Sequence, residues 1–180
     1  EKLNYQDLKL ISKNLLFSNS GEAIIIKKDL TKGIILRGYS KNDFSKLDFV
    51  KDQKFLGSRN NLSKNYISIG KELSFSLDVQ IGDDITIMSP SGIESIIGNL
   101  PKQKTFTIMS LFESGLIDFD NNIAFVNLST LEEFFDYKEK DRNLEIYLKK
   151  PTNIENQKII IQKIFNNEFI YSWSDMNRSL

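Results

Sequence analysis

The stretch from Gly82 to Asp120 constrains the fold most, because it contains two segments with the alternation expected of half-buried strands. In such a strand every second side chain faces the core, so apolar and polar residues alternate. The alternating apolar positions are Ile85, Ile87, Phe106 and Ile108. Pro90 and Pro101 lie between the segments, and proline marks strand ends because it has no N–H to donate to a sheet. The stretch predicts a long hairpin whose arms end near Met88 and Thr105.

The tip of the predicted hairpin, residues 91–100, is apolar for a loop. Loops normally carry polar turn residues, yet this one contains Ile93, Ile96, Ile97 and Leu100. If these side chains project from the body, they form an exposed apolar patch, which indicates a binding partner. Alternatively, the two arms are longer strands and the isoleucines pack onto the core. The residues alone leave both interpretations open.

Composition excludes several classes of function. Lys plus Arg and Asp plus Glu each total 24, so the net charge is zero, which argues against a strongly basic nucleic-acid surface. The chain has no cysteine and no histidine, which excludes thiol chemistry, disulfides, thiolate metal sites and histidine general-base catalysis. Its 40% hydrophobic and 27% charged content is typical of a folded globular protein.

The length of 180 residues suits one large domain or two small ones. No apolar run approaches the roughly 18 to 20 residues that a membrane-spanning helix needs. No signal peptide opens the chain, which begins at Glu1 and stops at Leu180. We expect the chain to be an excised domain of a longer protein.

The first part of the chain predicts a meander of three strands. The expected strands are residues 9–18, 22–27 and 34–39. Turn-forming residues separate them at Asn19-Ser20-Gly21 and at 29–33. Residues 41–63 are polar and aperiodic, so a loop with a short helical turn and a few apolar anchors is expected there.

The remainder of the chain alternates helices and strands, which is an α+β pattern. The expected strands are 66–69, 123–126, 143–149 and 169–173, and the expected helices are 70–77, 129–135 and 153–165. Ser129 and Glu132 match a capping box, so Ser129 is the predicted N-cap of the second helix. Asn153 is the predicted N-cap of the last helix.

No catalytic constellation is found in the sequence. The chain lacks a glycine-rich phosphate loop of the Walker type, so it is not expected to hydrolyse ATP. Asp118 and Asp120, expected on a strand or loop near Glu113, could do acid–base work only in a pocket that perturbs their pKa values. Solvated carboxylates or salt bridges to lysine are the simpler alternative. The chain is therefore predicted to be neither an enzyme nor a holder of metal or cofactor.

Several segments together resemble a known family. Residues 82–90 read Gly-Asp-x-Ile-x-Ile-x-Ser-Pro, residues 101–108 read Pro-x-Gln-Lys-x-Phe-x-Ile, and residues 112–120 read Phe-Glu-Ser-Gly-x-x-x-Phe-Asp. Further matching segments are 33–39, 69–73 and 123–128. In order and spacing, from about Ile34 to Leu148, the chain resembles the periplasmic domain of the lipoprotein-releasing ABC transporter permeases. This is the LolC/LolE family, with a MacB-like periplasmic core.

The resemblance implies an α+β fold of two lobes. Residues 1–62 and 140–180 would form a discontinuous α/β (porter-like) lobe, and residues 63–139 an inserted, mostly-β (sabre-like) lobe carrying the hairpin. In one permease type of the family a hook-like hairpin loop engages the periplasmic lipoprotein carrier, and polar residues at its base form a second contact pad. By position, the hook is Pro90–Pro101 and the pad is Gln103 and Lys104. The implied carrier-binding residues are Pro90, Ile93, Ile96, Ile97, Leu100, Pro101, Gln103 and Lys104.

These residues are expected to contribute to binding in different ways. Ile96 and Ile97 are expected to be the apolar anchors, and Lys104 to orient an acidic rim of the carrier. Thr86 departs from the pattern, because some family members have a basic pad residue at its position. The pad is therefore expected to be weaker in this chain.

The resemblance also implies partners and a location. The partners are lipoprotein substrates, a LolA-like periplasmic carrier, and, through the full-length protein, an ATPase subunit and a second permease subunit. The location is the periplasmic face of the inner membrane, with transmembrane helices flanking the domain. Three alternatives stay open: the sister permease type that handles the lipoprotein, a MacB-like exporter permease that binds an adaptor protein, and an interaction module without a transport role.

Overall fold

The computed structural model describes residues 5–90, 93–95, 98–150, 152, 154–166, 168–172 and 175, without the side chains of 5–7, 93–95 and 98–100. The chain forms two compact units. Unit 1 combines Glu1–Leu15 with Glu145–Leu180, and unit 2 is Leu16–Leu144. Unit 1 therefore draws on both parts of the chain that flank unit 2, and unit 2 contains the predicted hairpin.

Six of the described strands form a closed ring. The described strands of the chain are β1 (Ser12–Lys27), β2 (Leu30–Tyr39), β3 (Leu56–Gly57), β4 (Tyr66–Gly70), β5 (Asp84–Met88), β6 (Ile93–Ser95), β7 (Gly98–Leu100), β8 (Gln103–Phe112), β9 (Ile123–Asn127) and β10 (Asn143–Leu148). Strand β5 pairs with both β1 and β8, which closes the order β1-β2-β9-β4-β8-β5 on itself. The ring gives every strand an inner and an outer face.

The inner face of the ring holds an aliphatic core. Ile25, Leu36 and Ile87, on three different strands, are completely buried. Helix α6 (Leu128–Phe135) packs against β2, and the missing side chain of Gly38 makes room for it, because a Cβ there would lie 3.0 Å from that of Leu131. Fully burying one such aliphatic side chain contributes roughly 1.5–3 kcal/mol to stability.

An aromatic cluster covers part of the outer face. It lies beneath the short helices α2 (Lys41–Phe44), α3 (Asp48–Lys51) and α5 (Ile117–Asn122). The ring of Phe49 lies 5.0 Å from that of Phe112 and 5.2 Å from that of Phe125, distances typical of favourable aromatic pairs. The segment 41–63, predicted as a loop with apolar anchors, thus supplies short helices and the anchors Phe44 and Phe55, which are buried.

The predicted meander of three strands at the start of the chain is instead a hairpin of two strands, although residues 22–27 and 34–39 are strands as predicted. Helix α1 (Tyr5–Ile11) occupies the start of the predicted first strand, and β1 then continues through the predicted turn at 19–21. Strand β1 pairs with β2 over ten residues, from Ser18 with Tyr39 to Lys27 with Leu30. Gly21 lies within the strand and not in a turn. It leaves room for the ring of Phe135, since a Cβ at this position would lie 2.7 Å from that ring.

The predicted cap of α6 was also wrong. Asn127, not Ser129, is the N-cap, and its side chain accepts a hydrogen bond from the Ser129 N–H at 3.1 Å. Glu132 does not reach back to the helix start, because its carboxylate accepts hydrogen bonds of 2.6 and 3.0 Å from Arg142. Asparagine and serine are both favourable at an N-cap, so the sequence pattern alone could not distinguish Asn127 from Ser129.

Unit 1 contains α1, most of β10 and helix α7 (Ile154–Ile164). The Lys149 N–H donates to the carbonyl of Ile11 at 2.9 Å, and its Nζ donates to the Lys9 and Leu10 carbonyls at 3.0 Å. A cation is favourable at a helix C-terminus, because unpaired carbonyls accumulate there. The predicted strand at 169–173 was wrong, since residues 169–172 form none, and Asn153 lies outside the described residues.

The predictions for the remaining elements agree with the structure. Strands β4, β9 and β10 and helix α4 (Lys71–Leu77) lie where expected, and the fold is a mixed α+β arrangement with a sheet-rich core. The division into two lobes at 62/63 and 139/140 stays a prediction. In the described part of the chain, no helix is long and apolar enough to cross a membrane.

Candidate partner-binding hairpin

The base of the hairpin consists of β5 and β8, as the alternating pattern predicted. The strands are antiparallel, with Ile85 opposite Phe106, Ile87 opposite Lys104, and Met88 opposite Gln103. Ile85, Ile87 and Phe106 are at most 1% exposed and belong to the inner core. On its other side β5 pairs with β1, so the base is bonded into the ring along both edges of β5.

Two prolines mark the junction between base and tip. The last bond before the tip joins the N–H of Ser89, which is buried, to the carbonyl of Lys102 at 2.9 Å. Pro90 and Pro101 follow on the two arms and are exposed. Since proline cannot donate to a ladder, the main sheet ends at this junction.

Beyond the prolines the chain forms a second, two-stranded sheet from β6 and β7. Ile93 pairs with Leu100, Glu94 with Asn99, and Ser95 with Gly98. The hairpin therefore resumes past the prolines, with a ladder separate from the main sheet within the described residues. Ile96 and Ile97 lie outside the described residues, as do the side chains of Ile93 and Leu100. The predicted roles of these four side chains stay predictions.

The structure does not bring the two predicted pad residues together. Successive residues of a strand point to opposite faces, and Gln103 and Lys104 are adjacent on β8. Lys104 lies on the same face as Phe106, with its Nζ 5.6 Å from the centre of that ring, a cation–π contact. Gln103 is exposed on the outer face, where its Nε2 lies 3.8 Å from Sδ of Met88.

The outer face of the base is uncharged between Asp84 and the prolines. Thr86 and Thr105 lie opposite each other with their hydroxyl oxygens 3.3 Å apart, next to Met88 and Gln103. Met88 and Thr105 were not predicted as neighbours of Gln103. Alternation along both strands could have identified them once the register was known, because residues two apart share a face.

Two charged side chains next to the base, Lys102 and Asp84, have hydrogen-bond partners within the chain. The Nζ of Lys102 lies 2.5 Å from a carboxylate oxygen of Asp136, at the end of α6. The carboxylate of Asp84 accepts a hydrogen bond of 2.6 Å from Thr107, and its carbonyl accepts one of 2.6 Å from Lys27. A partner that contacts this stretch of β5 and β8 therefore meets neutral polar and apolar groups.

The acidic residues considered for catalysis have structural contacts. Asp118 and Asp120 lie in helix α5, not on a strand or loop, and the buried Asp120 accepts the Ser114 N–H with both oxygens at 2.9 and 3.0 Å. Glu113 accepts hydrogen bonds from Lys54 at 2.6 Å and Lys71 at 3.2 Å. These bonds hold the pKa of Glu113 below its ordinary value, which keeps the carboxylate ionised.

Comparison with known sequences finds similarity to LolC proteins. No protein-family model matches the chain. Over 101 residues the chain is 29% identical to the lipoprotein-releasing system transmembrane protein LolC of Xylella fastidiosa (strain Temecula1), covering 55% of this chain and 24% of that protein. Over 173 residues it is 22% identical to LolC of Neisseria meningitidis serogroup B, covering 94% and 40%. The chain thus spans less than half the length of the curated relatives it matches.

Comparison with solved structures shows a shared fold. The extracellular domain of the ABC-type transporter YknZ from Gram-positive bacteria has a TM-score of 0.53 at 12% identity, covering 91% of this chain and 82% of that domain. The periplasmic region of MacB from Actinobacillus actinomycetemcomitans has a TM-score of 0.52 at 9% identity, covering 94% and 76%. The resemblance found in the sequence is confirmed: the chain is similar to LolC and has the fold of a MacB-like periplasmic domain.

Proposed function

We propose that this chain is the periplasmic domain of the membrane subunit of a lipoprotein-releasing ABC transporter. In this role it hands lipoproteins from the inner membrane to a LolA-like periplasmic carrier, which the hook Pro90–Pro101 binds. The observation that carries the proposal is the separate β6–β7 ladder, which resumes the hairpin past two prolines in a chain similar to LolC. A short ladder with its own register is suited to recognition, because it leaves backbone N–H and C=O groups at its edges for a partner.

The proposed contact combines the hook with the residues at its base. The carrier-binding residues are Pro90, Ile93, Ile96, Ile97, Leu100, Pro101, Gln103 and Lys104. Ile96 and Ile97 connect the paired residues Ser95 and Gly98, and they are the proposed anchors. Gln103 reaches the carrier from the outer face, whereas Lys104 approaches it from the opposite face of the strand. Truncating an interface anchor typically costs about 2 kcal/mol or more.

The work of the proposed domain is mechanical and recognitional rather than catalytic. ATP hydrolysis belongs to a separate ATPase subunit, which the full-length protein would meet together with a second permease subunit. The domain lies at the periplasmic face of the inner membrane. Its two lobes are residues 1–62 with 140–180 and residues 63–139, the latter carrying the hook.

Calorimetric titration of the 180-residue chain with the LolA-like carrier from the same organism tests the proposal. We expect saturable binding for the wild-type chain and a loss of at least thirtyfold, about 2 kcal/mol, for Ile96→Asp combined with Ile97→Asp. The matched control is Ile117→Asp, which also introduces an acid at an apolar position, 70% exposed and on α5. Unchanged affinity of the double variant, or no binding by the folded wild-type chain, contradicts the proposal.

A MacB-like exporter permease is the second candidate, favoured by the fold shared with the periplasmic region of MacB over 94% of this chain. In that case the hook would bind an adaptor protein instead of a lipoprotein carrier. The same titration separates the two candidates when it is repeated with the adaptor. Saturable binding of the adaptor, with none of the carrier, would select the exporter.

A further inference from the structure

A groove lies on the outer face of the ring directly beside the first residue of the hook. It has a volume of about 410 Å³, and the groove is bordered by Glu22, Ile24, Gly33, Ile35, Pro90 and Asn122. Ile24 lies opposite Gly33 and Glu22 opposite Ile35 in the pairing of β1 with β2. Strand β5 continues the same face, since Met88 pairs with Ile24. Pro90 therefore belongs both to the hook and to the wall of the groove.

The floor of the groove is open because of one glycine. A Cβ on Gly33 would meet no atom within 4 Å, so the surface has room there for a side chain from outside. Ile24 is half-buried and Ile35 is 43% exposed, so the walls offer apolar surface to an incoming group. The aromatic cluster covers a different part of the outer face and leaves this end uncovered.

One charge distinguishes the groove from a purely apolar patch. Glu22 is exposed, and within the described part of the chain no ion pair or side-chain hydrogen bond of its carboxylate is found. The remaining polar group at the groove is the exposed amide of Asn122. An occupant that complements these groups has an apolar side chain next to a lysine or arginine. An acidic occupant is disfavoured because it would face an unpaired carboxylate.

We infer that the groove receives an apolar side chain of the same carrier that the hook engages, flanked by a basic residue that pairs with Glu22. The inference rests on the proposed function, because it takes the hook's partner as the occupant. The shared residue Pro90 makes the groove and the hook continuous, so one partner covers both without spanning a gap. The groove thus adds specificity for a carrier that has an apolar and a basic residue next to the surface that the hook contacts.

The test uses two substitutions in the titration with the carrier. Gly33→Phe fills the open floor, and Glu22→Lys reverses the unpaired charge. We expect each to weaken carrier binding about tenfold, equivalent to about 1.4 kcal/mol, with the Glu22→Lys effect shrinking at high salt. Both variants should keep the wild-type melting temperature, since Gly33 has free space and Glu22 has no partner to lose.

The controls separate this inference from the proposed function. Glu133→Lys makes the same charge change at an exposed position of α6 and should leave affinity unchanged. If both groove variants bind the carrier with wild-type affinity while the hook double variant has lost binding, the inference about the groove is overturned. The proposed function then still stands. No binding by the wild-type chain overturns both. If Gly33→Phe fails to fold, Glu22→Lys decides alone, and wild-type affinity for that variant overturns the inference.

Discussion

The two halves of the hairpin differ in what holds them in place. The base strand β5 has bonded neighbours on both sides, and its inner side chains are buried in the core. The tip strands β6 and β7 pair with each other in a sheet of their own within the described residues. A single hairpin therefore has two parts: a base that contributes to the stability of the ring, and a tip whose proposed role is recognition. Four experiments test this division.

The largest effect is expected at the base. Phe106→Ala removes a side chain that is 1% exposed, and truncating a buried phenylalanine typically lowers the free energy of unfolding by about 3–5 kcal/mol. Urea unfolding measures the change. The neighbouring Thr105→Ala is the control, because Thr105 is exposed on the outer face, and it should cost no more than about 1 kcal/mol. Equal costs for the two variants would contradict a buried base.

The second largest loss of stability is expected in the ring around the base, where an added methyl group at Gly70 has no space. A Cβ on Gly70, at the end of β4, would lie 1.8 Å from the carbonyl oxygen of Asp120, so Gly70→Ala must displace backbone. We expect a loss of about 1–3 kcal/mol, measured as a lower melting temperature. Gly33→Ala is the matched control, because the new methyl group meets nothing there and should be tolerated. A neutral Gly70→Ala would show that α5 is free to shift.

A smaller, pH-dependent effect is expected at the end of β8 away from the tip. Hydrogen bonds from Lys54 and Lys71 lower the folded-state pKa of Glu113 below its ordinary value. A carboxyl group with a depressed folded pKa stabilises the protein above its unfolded pKa, and this contribution is lost as the pH falls through the folded pKa. Wild type should therefore exceed Glu113→Gln in stability at neutral pH, and the difference should shrink in acid. Unfolding midpoints between about pH 7 and about pH 3 measure it, and a constant difference contradicts the assignment.

The smallest effect on stability is expected at the tip. Deleting Ile93–Asn99 should change the free energy of unfolding by no more than about 0.5 kcal/mol, because the tip ladder pairs with itself. The same deletion should abolish carrier binding in the titration. A stability loss similar to that of Phe106→Ala would instead support the interpretation that the isoleucines pack onto the core.

Sequence periodicity predicted the base well and its surroundings less well. Ile85, Ile87 and Phe106 alternate with polar residues, and this local signal is enough to place both arms. The pairing of β5 with β1 joins residues about sixty positions apart, such as Ile25 and Ile87, and no local pattern reports it. That pairing closes the ring, so the closed arrangement could not be predicted.

Two assignments at single residues show what a local pattern leaves out. Gly21 was assigned to a turn because glycine favours turns, but here it makes room for Phe135, a contact between distant residues. Gln103 and Lys104 were grouped because the resemblance implies a pad at their positions; strand alternation places them on opposite faces, and their role in binding stays a prediction. At Gly21 the residue type was read correctly, and the missing information was which distant residue lies alongside.

The self-contained ladder of the tip has a consequence for how this chain can diverge. Lengthening a flexible loop costs only about 0.6 kcal/mol for each doubling of its length, provided that its ends stay fixed. Here the Ser89–Lys102 hydrogen bond fixes the ends. Insertions and deletions between Pro90 and Pro101 should therefore cost little in folding stability, whereas changes to the buried side chains of the ring should cost much more. A different hook could thus be grafted between the two prolines without redesigning the domain that carries it.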